Sequence, residues 1–152
     1  MSAESRIEEL GLVLPTPPEP IASYVTFART ANLAYTSGHG PLRPDGSWIT
    51  GKVGVELDTD EAREAARVTG LGLLATLRRH LGSLDKVGRV VKVLGMVNST
   101  TDFVEHSSVI DGCSDLLAEV FGDAGRHARS AVGVGSLPMN ISVEIEAIVE
   151  TV

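Results

Sequence analysis

The chain has 152 residues, 43% of them hydrophobic and 22% charged, and its formal net charge is −7. This length and composition predict one globular domain over residues 1–152, with a substantial core, and disfavour intrinsic disorder. The negative charge argues against a nucleic-acid partner or an anionic membrane surface, and the apolar runs are too short to cross a bilayer.

The N-terminal residues and the cysteine content indicate in which cellular compartment the protein resides. The first residues are polar and acidic, without the basic start and apolar stretch of a signal peptide. Cys113 is the only cysteine, so no internal disulfide can form. We therefore expect a cytoplasmic protein, with Cys113 as a buried structural thiol.

An N-terminal arm, residues 1–20, begins the chain, and a short helix is expected near residues 7–10. Because proline fixes φ and restricts the residue before it, the rest of the arm is predicted to be extended. The prolines behind this prediction are Pro15, Pro17, Pro18 and Pro20.

A β-hairpin is predicted next, with strands at residues 24–29 and 33–37 around a short turn. The loop at residues 38–54 follows and is rich in glycine and proline. It is long for a compact domain, and we expect it to include a short strand at residues 48–52, which contains Trp48.

Two helices and one strand are predicted in the middle of the chain. Asp58 is the expected N-cap of the first helix, with Glu61 as its capping-box partner, and Gly82 is the expected stop. The β-branched run at residues 87–97 predicts a buried strand, and the apolar periodicity at residues 104–121 predicts the second helix.

A closing hairpin is the last predicted element, with strands at residues 128–134 and 140–149. Strand alternation places Glu144 and Glu146 on one face, and Arg129 lies near the start of the first strand. An arginine beside carboxylates can form a small-anion site with a proton-transfer group close to it. The alternative is an ordinary solvated sheet face with cross-strand pairs.

The order hairpin, helix, strand, helix, hairpin predicts an α+β fold of two layers, with the helices on one sheet face. No phosphate-binding loop, dinucleotide fingerprint or nucleophile elbow is present, and the four histidines lack the spacing of a metal site. His39 has two interpretations: a general base at the mouth of a pocket or, as we favour, a loop residue that makes one hydrogen bond.

Several short patterns occur in a fixed order along the chain. They are Tyr24-Val25, Tyr35 to Pro41, Val87 to Val93, Asp102-Phe103, Arg129-Ser130-Ala131-Val132, Leu137-Pro138 and Val143-Glu144-Ile145-Glu146-Ala147. Together they span about residues 20–150 and resemble the Rid family of enamine/imine deaminases, also called the YjgF family.

The resemblance implies a chorismate-mutase-like two-layer α+β sandwich, a mixed sheet with two helices on one face. It also implies a homotrimer with sites in the clefts between subunits. Arg129 matches the arginine that holds the substrate carboxylate. Glu144 matches the glutamate that activates the hydrolytic water and shuttles a proton.

Five further positions are implied to bind the substrate. Tyr24, Ser37 and Gly38 match residues that line the family's cleft. Asp111 stands where many members have an asparagine, and Ala131 where the best-known members have a cysteine.

The implied activity is hydrolysis of 2-aminoacrylate-type enamines and imines to 2-keto acids and ammonia. No metal or cofactor is expected, because the imine is already electrophilic and the enzyme supplies mainly orientation and charge complementarity. An alternative is a non-catalytic binder of small carboxylates such as 2-keto acids. Ribonuclease activity, attributed to some members, is disfavoured by the acidic charge.

Overall fold

The computed structural model describes all 152 residues, which form three α-helices and five β-strands with short 3-10 turns between them. In chain order these are α1 (Ala3–Glu9), β1 (Phe27–Thr30), β2 (Leu33–Thr36), α2 (Thr59–Leu81), β3 (Val87–Asn98), α3 (His106–Phe121), β4 (Ala128–Val134) and β5 (Val143–Thr151).

The five strands form one mixed sheet in the order β1-β2-β5-β3-β4. All neighbours are antiparallel except β3 and β4, which run parallel. Parallel neighbours need a long crossover, and α3 supplies it between β3 and β4. The sheet is therefore a β1-β2 hairpin joined, through β5, to a β3-α3-β4 unit.

The predicted closing hairpin is wrong, because β3 lies between β4 and β5. The crossover through α3 places β4 on one side of β3, and the only other side of β3 is taken by β5. The Leu137-Pro138 corner therefore does not reverse the chain onto β4. It leads past the end of β3 through a short 3-10 turn in which Met139 and Asn140 have positive φ angles of 56° and 57°.

Burial alternates along β5 and shows the two layers directly. Val143, Ile145, Ala147 and Val149 are buried beneath the helices, whereas Glu144 and the other intervening residues are partly exposed on the opposite face. This confirms the predicted alternation. The helix-covered face supplies the core, and the opposite face has no covering layer within the chain.

Local signals fixed the bounds of α2. Asp58 accepts a hydrogen bond from the Glu61 N–H, the Glu61 side chain returns to the Asp58 N–H, and Gly82 ends the helix at φ 84°. The packing of α2 on α3 is close: a Cβ atom at Gly112 would overlap the carbonyl oxygen of Arg63. None of the three α-helices combines the length and the hydropathy that a membrane crossing requires.

The loop after β2 continues along the sheet before it turns away. His39 forms an antiparallel bridge with Ile145, so the chain remains beside β5 beyond the end of β2. Trp48 and Thr50 form only isolated bridges, with Leu42 and Ile141. The strand expected at residues 48–52 is therefore absent as a regular element.

Candidate functional site

A cavity of about 760 Å³ lies where the loop after β2 meets a proline-rich segment, Pro15 to Tyr24. It brings together four of the seven predicted site residues. They are Tyr24, Ser37, Gly38 and Glu144. Arg129, Asp111 and Ala131 do not line it.

Glu144 is the carboxylate of this cavity that the sequence singled out. It lies on the open face of β5, and a Cβ atom at Gly38 would come 2.8 Å from its carboxyl carbon, so glycine at this position lets the carboxyl lie against the backbone. Burial, and then the neighbouring Glu146 carboxylate, raise the pKa of Glu144 above its ordinary value. A carboxylate with a raised pKa is better suited to take and return a proton near neutral pH.

His39 is buried and makes two hydrogen bonds, one more than expected. Its Nδ1 lies 2.8 Å from the Ser37 carbonyl oxygen and its Nε2 lies 2.8 Å from Thr76 Oγ1. A carbonyl can only accept, so Nδ1 carries the proton and Nε2 accepts from the hydroxyl. Burial lowers the pKa of His39. With both nitrogens engaged, His39 holds the Ser37 segment against α2 and is not free to act as a base.

A second glycine gives the cavity its aromatic wall. A Cβ atom at Gly40 would come 2.9 Å from Trp48 Cζ3 and 2.9 Å from Ile141 Cδ1. Gly38 and Gly40 alternate with His39, so both face away from the helices. One glycine admits the Glu144 carboxylate, and the other admits the indole ring.

Arg129 is bound by its own chain on the helix-covered face of β4. Its Nη1 donates to Asp111 Oδ1 at 2.7 Å and to Ser114 Oγ at 3.2 Å, and its Nη2 donates to the Ser107 carbonyl oxygen at 3.4 Å. Its side chain is only 19% exposed. Two predicted site residues, Arg129 and Asp111, are thus in contact, and Ala131 lies on the same strand face.

Arg129 and Glu144 lie on opposite faces of the sheet. Arg129 aligns with Val93 of β3, and Glu144 aligns with Met96. Aligned residues share a face, and positions 93 and 96 differ by an odd number, so their side chains point in opposite directions. Within one chain these two residues do not form the single site expected from a hairpin.

A hydrogen-bonded chain behind Arg129 was not foreseen from the sequence. Ser114 Oγ lies 2.9 Å from His127 Nε2, and His127 Nδ1 donates to the Gly125 carbonyl oxygen at 2.6 Å. The Ser114 hydroxyl therefore donates to His127 and accepts from Arg129. Burial is the main cause that lowers the pKa of His127, which keeps the imidazole a neutral acceptor. This row of hydrogen bonds holds the Arg129 guanidinium against α3.

The Cys113 thiol and a metal site are the remaining chemical possibilities. Cys113 is fully buried, as expected, and burial raises the pKa of its thiol to about 12. No group of three or more histidine, cysteine, aspartate or glutamate side chains is placed to hold a metal ion.

Comparison with known proteins identifies a family whose pattern this chain matches. Residues 4–150 match the family described as YjgF/chorismate_mutase-like, putative endoribonuclease. The chain is 40% identical over 147 residues to Protein TCP17 of Trypanosoma cruzi, covering 96% of this chain and 92% of that protein. It is 32% identical over 136 residues to the 2-iminobutanoate/2-iminopropanoate deaminase of Dermatophagoides farinae, covering 89% and 91% of the two chains.

A solved structure agrees over almost the whole chain. The crystal structure of a protein with unknown function from Agrobacterium tumefaciens is 45% identical, with a TM-score of 0.91, and the match covers 99% of this chain and 92% of that one. These likenesses confirm the resemblance found in the sequence and the chorismate-mutase-like α+β fold with a mixed five-stranded sheet.

The raised pKa of Glu144 predicts how its replacement changes stability with pH. The folded chain holds this proton more tightly than the ordinary pKa of 4.5 implies, so stability falls as the pH rises from 4.5 through the folded-state pKa. We expect Glu144→Gln to raise the urea midpoint at pH 7, with the gain shrinking as the pH falls towards about 4. Because the side chain is partly exposed, the gain should stay below about 1 kcal/mol.

Glu64→Gln is the control for this titration, because Glu64 is exposed on α2 and lies outside the cavity. The change of the urea midpoint in Glu144→Gln is compared with that in Glu64→Gln at each pH. A Glu144→Gln variant that is less stable at pH 7, or equally stabilised at pH 4 and pH 7, would contradict the assignment of a destabilised carboxylate.

Proposed function

The chain belongs to the YjgF/chorismate_mutase-like, putative endoribonuclease family, and from that premise we propose that it hydrolyses reactive imines. The substrates are 2-aminoacrylate-type enamines and their imines, and the products are 2-keto acids and ammonia. The observation that supports this proposal most is the Glu144 carboxylate, which has a raised pKa and faces a cavity beside Tyr24 and Ser37. The similarity to an iminobutanoate deaminase agrees with it.

Glu144 has two tasks in the proposed reaction. The enamine first takes a proton from solvent on its terminal carbon and becomes the protonated imine. Glu144 then removes a proton from water as the water oxygen bonds to the imine carbon, and the electron pair of the carbon–nitrogen double bond moves to nitrogen. The protonated carboxyl next gives its proton to the amino group of the adduct. As the carbon–nitrogen bond breaks and ammonia leaves, the hydroxyl of the adduct returns its proton to Glu144 and becomes the keto group of the 2-keto acid.

The carboxylate of the substrate is proposed to bind Arg129 of a neighbouring subunit. Within one chain the arginine faces away from Glu144, so one active site needs both residues from different copies. A homotrimer with sites between subunits satisfies this requirement. The uncovered sheet face supports such an assembly, because it exposes apolar side chains including Tyr35 at 41% and Val132 at 42%. The cytoplasm is the compartment we propose.

The guanidinium of Arg129 is already paired with a carboxylate of its own chain, that of Asp111, at 2.7 Å. A substrate carboxylate must therefore compete with Asp111 or bind the outer side of the guanidinium. This competition weakens the binding of anionic ligands relative to an unpaired arginine.

A second candidate is a non-catalytic binder of small carboxylates such as 2-keto acids, because Asp111 and Ser114 hold the Arg129 guanidinium in one orientation. A binder needs a cleft but no water activation, so calorimetry with pyruvate distinguishes the two. Tight binding without any turnover of the imine supports the binder. Ribonuclease activity is a weaker candidate, because no lysine or arginine lines the cavity and the chain has a charge of −7.

Release of 2-keto acid from enzymatically generated 2-aminoacrylate tests the proposed activity. We expect Glu144→Gln to lower the rate by roughly 100-fold or more, because the amide cannot take a proton from water. Glu150→Gln is the matched control: it lies on the same face of β5, does not line the cavity, and should change the rate only a few-fold. A wild-type rate equal to the background contradicts the activity, and equal losses in both variants contradict the role of Glu144.

Asp111→Asn tests whether Arg129 binds the carboxylate. The amide keeps the size of the side chain but removes its charge, so pyruvate should bind about fivefold more tightly by calorimetry, a gain of about 1 kcal/mol. Arg129→Ala should abolish this binding. Asp60→Asn, which removes an exposed carboxylate in the first turn of α2, should leave it unchanged. Unchanged affinity in Asp111→Asn together with retained affinity in Arg129→Ala would show that the carboxylate binds elsewhere.

A further inference from the structure

The cavity is much larger than the smallest imine of the proposed reaction. Its volume of 760 Å³ falls within the range of about 300–1,000 Å³ typical of sites for drug-sized ligands. By contrast, 2-aminoacrylate has the bulk of only a few water molecules, each of which takes about 30 Å³. Within one chain, without the neighbouring subunit that supplies Arg129, such a substrate would leave most of the cavity filled with solvent.

The walls of the cavity are mainly apolar, and one of them is aromatic. Neither lysine nor arginine lines it. The apolar side chains that matter here are Ile21, Leu42, Trp48, Met139 and Ile141. Such a surface gains most from a ligand whose body is apolar, because burial of apolar area supplies the binding energy.

The Glu144 carboxylate and the Trp48 ring are separated along one short segment of backbone. Glu144 contacts the segment at Gly38, and Trp48 contacts it at Gly40. Two residues of extended chain span about 7 Å. An aromatic ring attached through one methylene group to the imine carbon covers this separation, with the imine at Glu144 and the ring against the indole. The methylene of 2-aminoacrylate does not reach it.

The proline-rich segment, Pro15 to Tyr24, forms the outer wall of the cavity. Glu19 pairs with Arg79 of α2 at 2.7 Å, and the Ile21 N–H donates to the Tyr24 hydroxyl at 3.4 Å. Ile21 is nevertheless 66% exposed. An apolar side chain held at the edge of a cavity is covered when an apolar ligand occupies that cavity.

From these observations we propose that the cavity selects imines with a bulky aromatic side chain, such as the imine of phenylalanine, over 2-aminoacrylate and other small imines. The inference rests on the proposed function and names its substrate class. Glu144 faces the imine, and Trp48 and Ile21 contact the ring. The carboxylate of the substrate points out of the apolar cavity.

The experiment compares two imines, formed in situ from phenylalanine and from alanine by an amino-acid oxidase. We expect kcat/KM for the aromatic imine to exceed that for the small one by about tenfold or more. Trp48→Ala should lower kcat/KM for the aromatic imine by about tenfold and change the value for the small imine only a few-fold. Ile21→Ala should have a smaller effect of the same kind. Val13→Ala is the control, because Val13 is also exposed but does not line the cavity.

A binding measurement separates this inference from the proposed function. The thermal midpoint should rise more with phenylpyruvate than with pyruvate at equal concentration, and Trp48→Ala should remove the difference. If no imine is hydrolysed but this preference persists, the proposed activity is wrong and the selectivity of the cavity stands. If the two keto acids give equal shifts, or the small imine has the higher kcat/KM, the inference is overturned.

Discussion

The position of β3 between β4 and β5 decides which side chains of this protein can meet. Successive residues of a strand point to opposite faces, so a side chain's face follows from its register alone. The register against β3 turns Arg129 towards α3 and Glu144 towards the open face of the sheet. No rotamer change can bring these two residues together within one chain. If both act on one substrate, the substrate must lie between two copies.

Each half of the proposed site is built separately. On the helix-covered face, Asp111, Ser114 and His127 fix the orientation of Arg129 and balance its charge. On the open face, a glycine lets Glu144 approach the backbone, where burial and a like charge raise its pKa. The first half offers a cation already engaged by an anion, and the second offers a base in apolar surroundings. In the proposed reaction, substrate binding and proton transfer therefore lie on different strands.

Local features were predictable, and the pairing of distant strands was not. The bounds of α2 followed from Asp58 and Gly82, because caps act within one helical turn. The alternation around Glu144 followed from the strand period. The false hairpin arose because two strands close in sequence usually pair, whereas here a crossover had already used one side of β3. The contact of Ser114 with His127 links residues 13 apart across a turn, and no periodic signal marks it.

Subunit complementation tests most directly whether the two halves work across copies. Chains with Arg129→Ala and chains with Glu144→Gln are co-expressed, and heteromeric particles of confirmed oligomeric state are assayed for 2-keto acid release. Each variant alone should be inactive. Random assembly should restore about a quarter of the wild-type rate per site, because one subunit contributes an intact Arg129 and the next an intact Glu144. No recovery in the mixed particles, or full activity in either variant alone, would contradict a site shared between subunits.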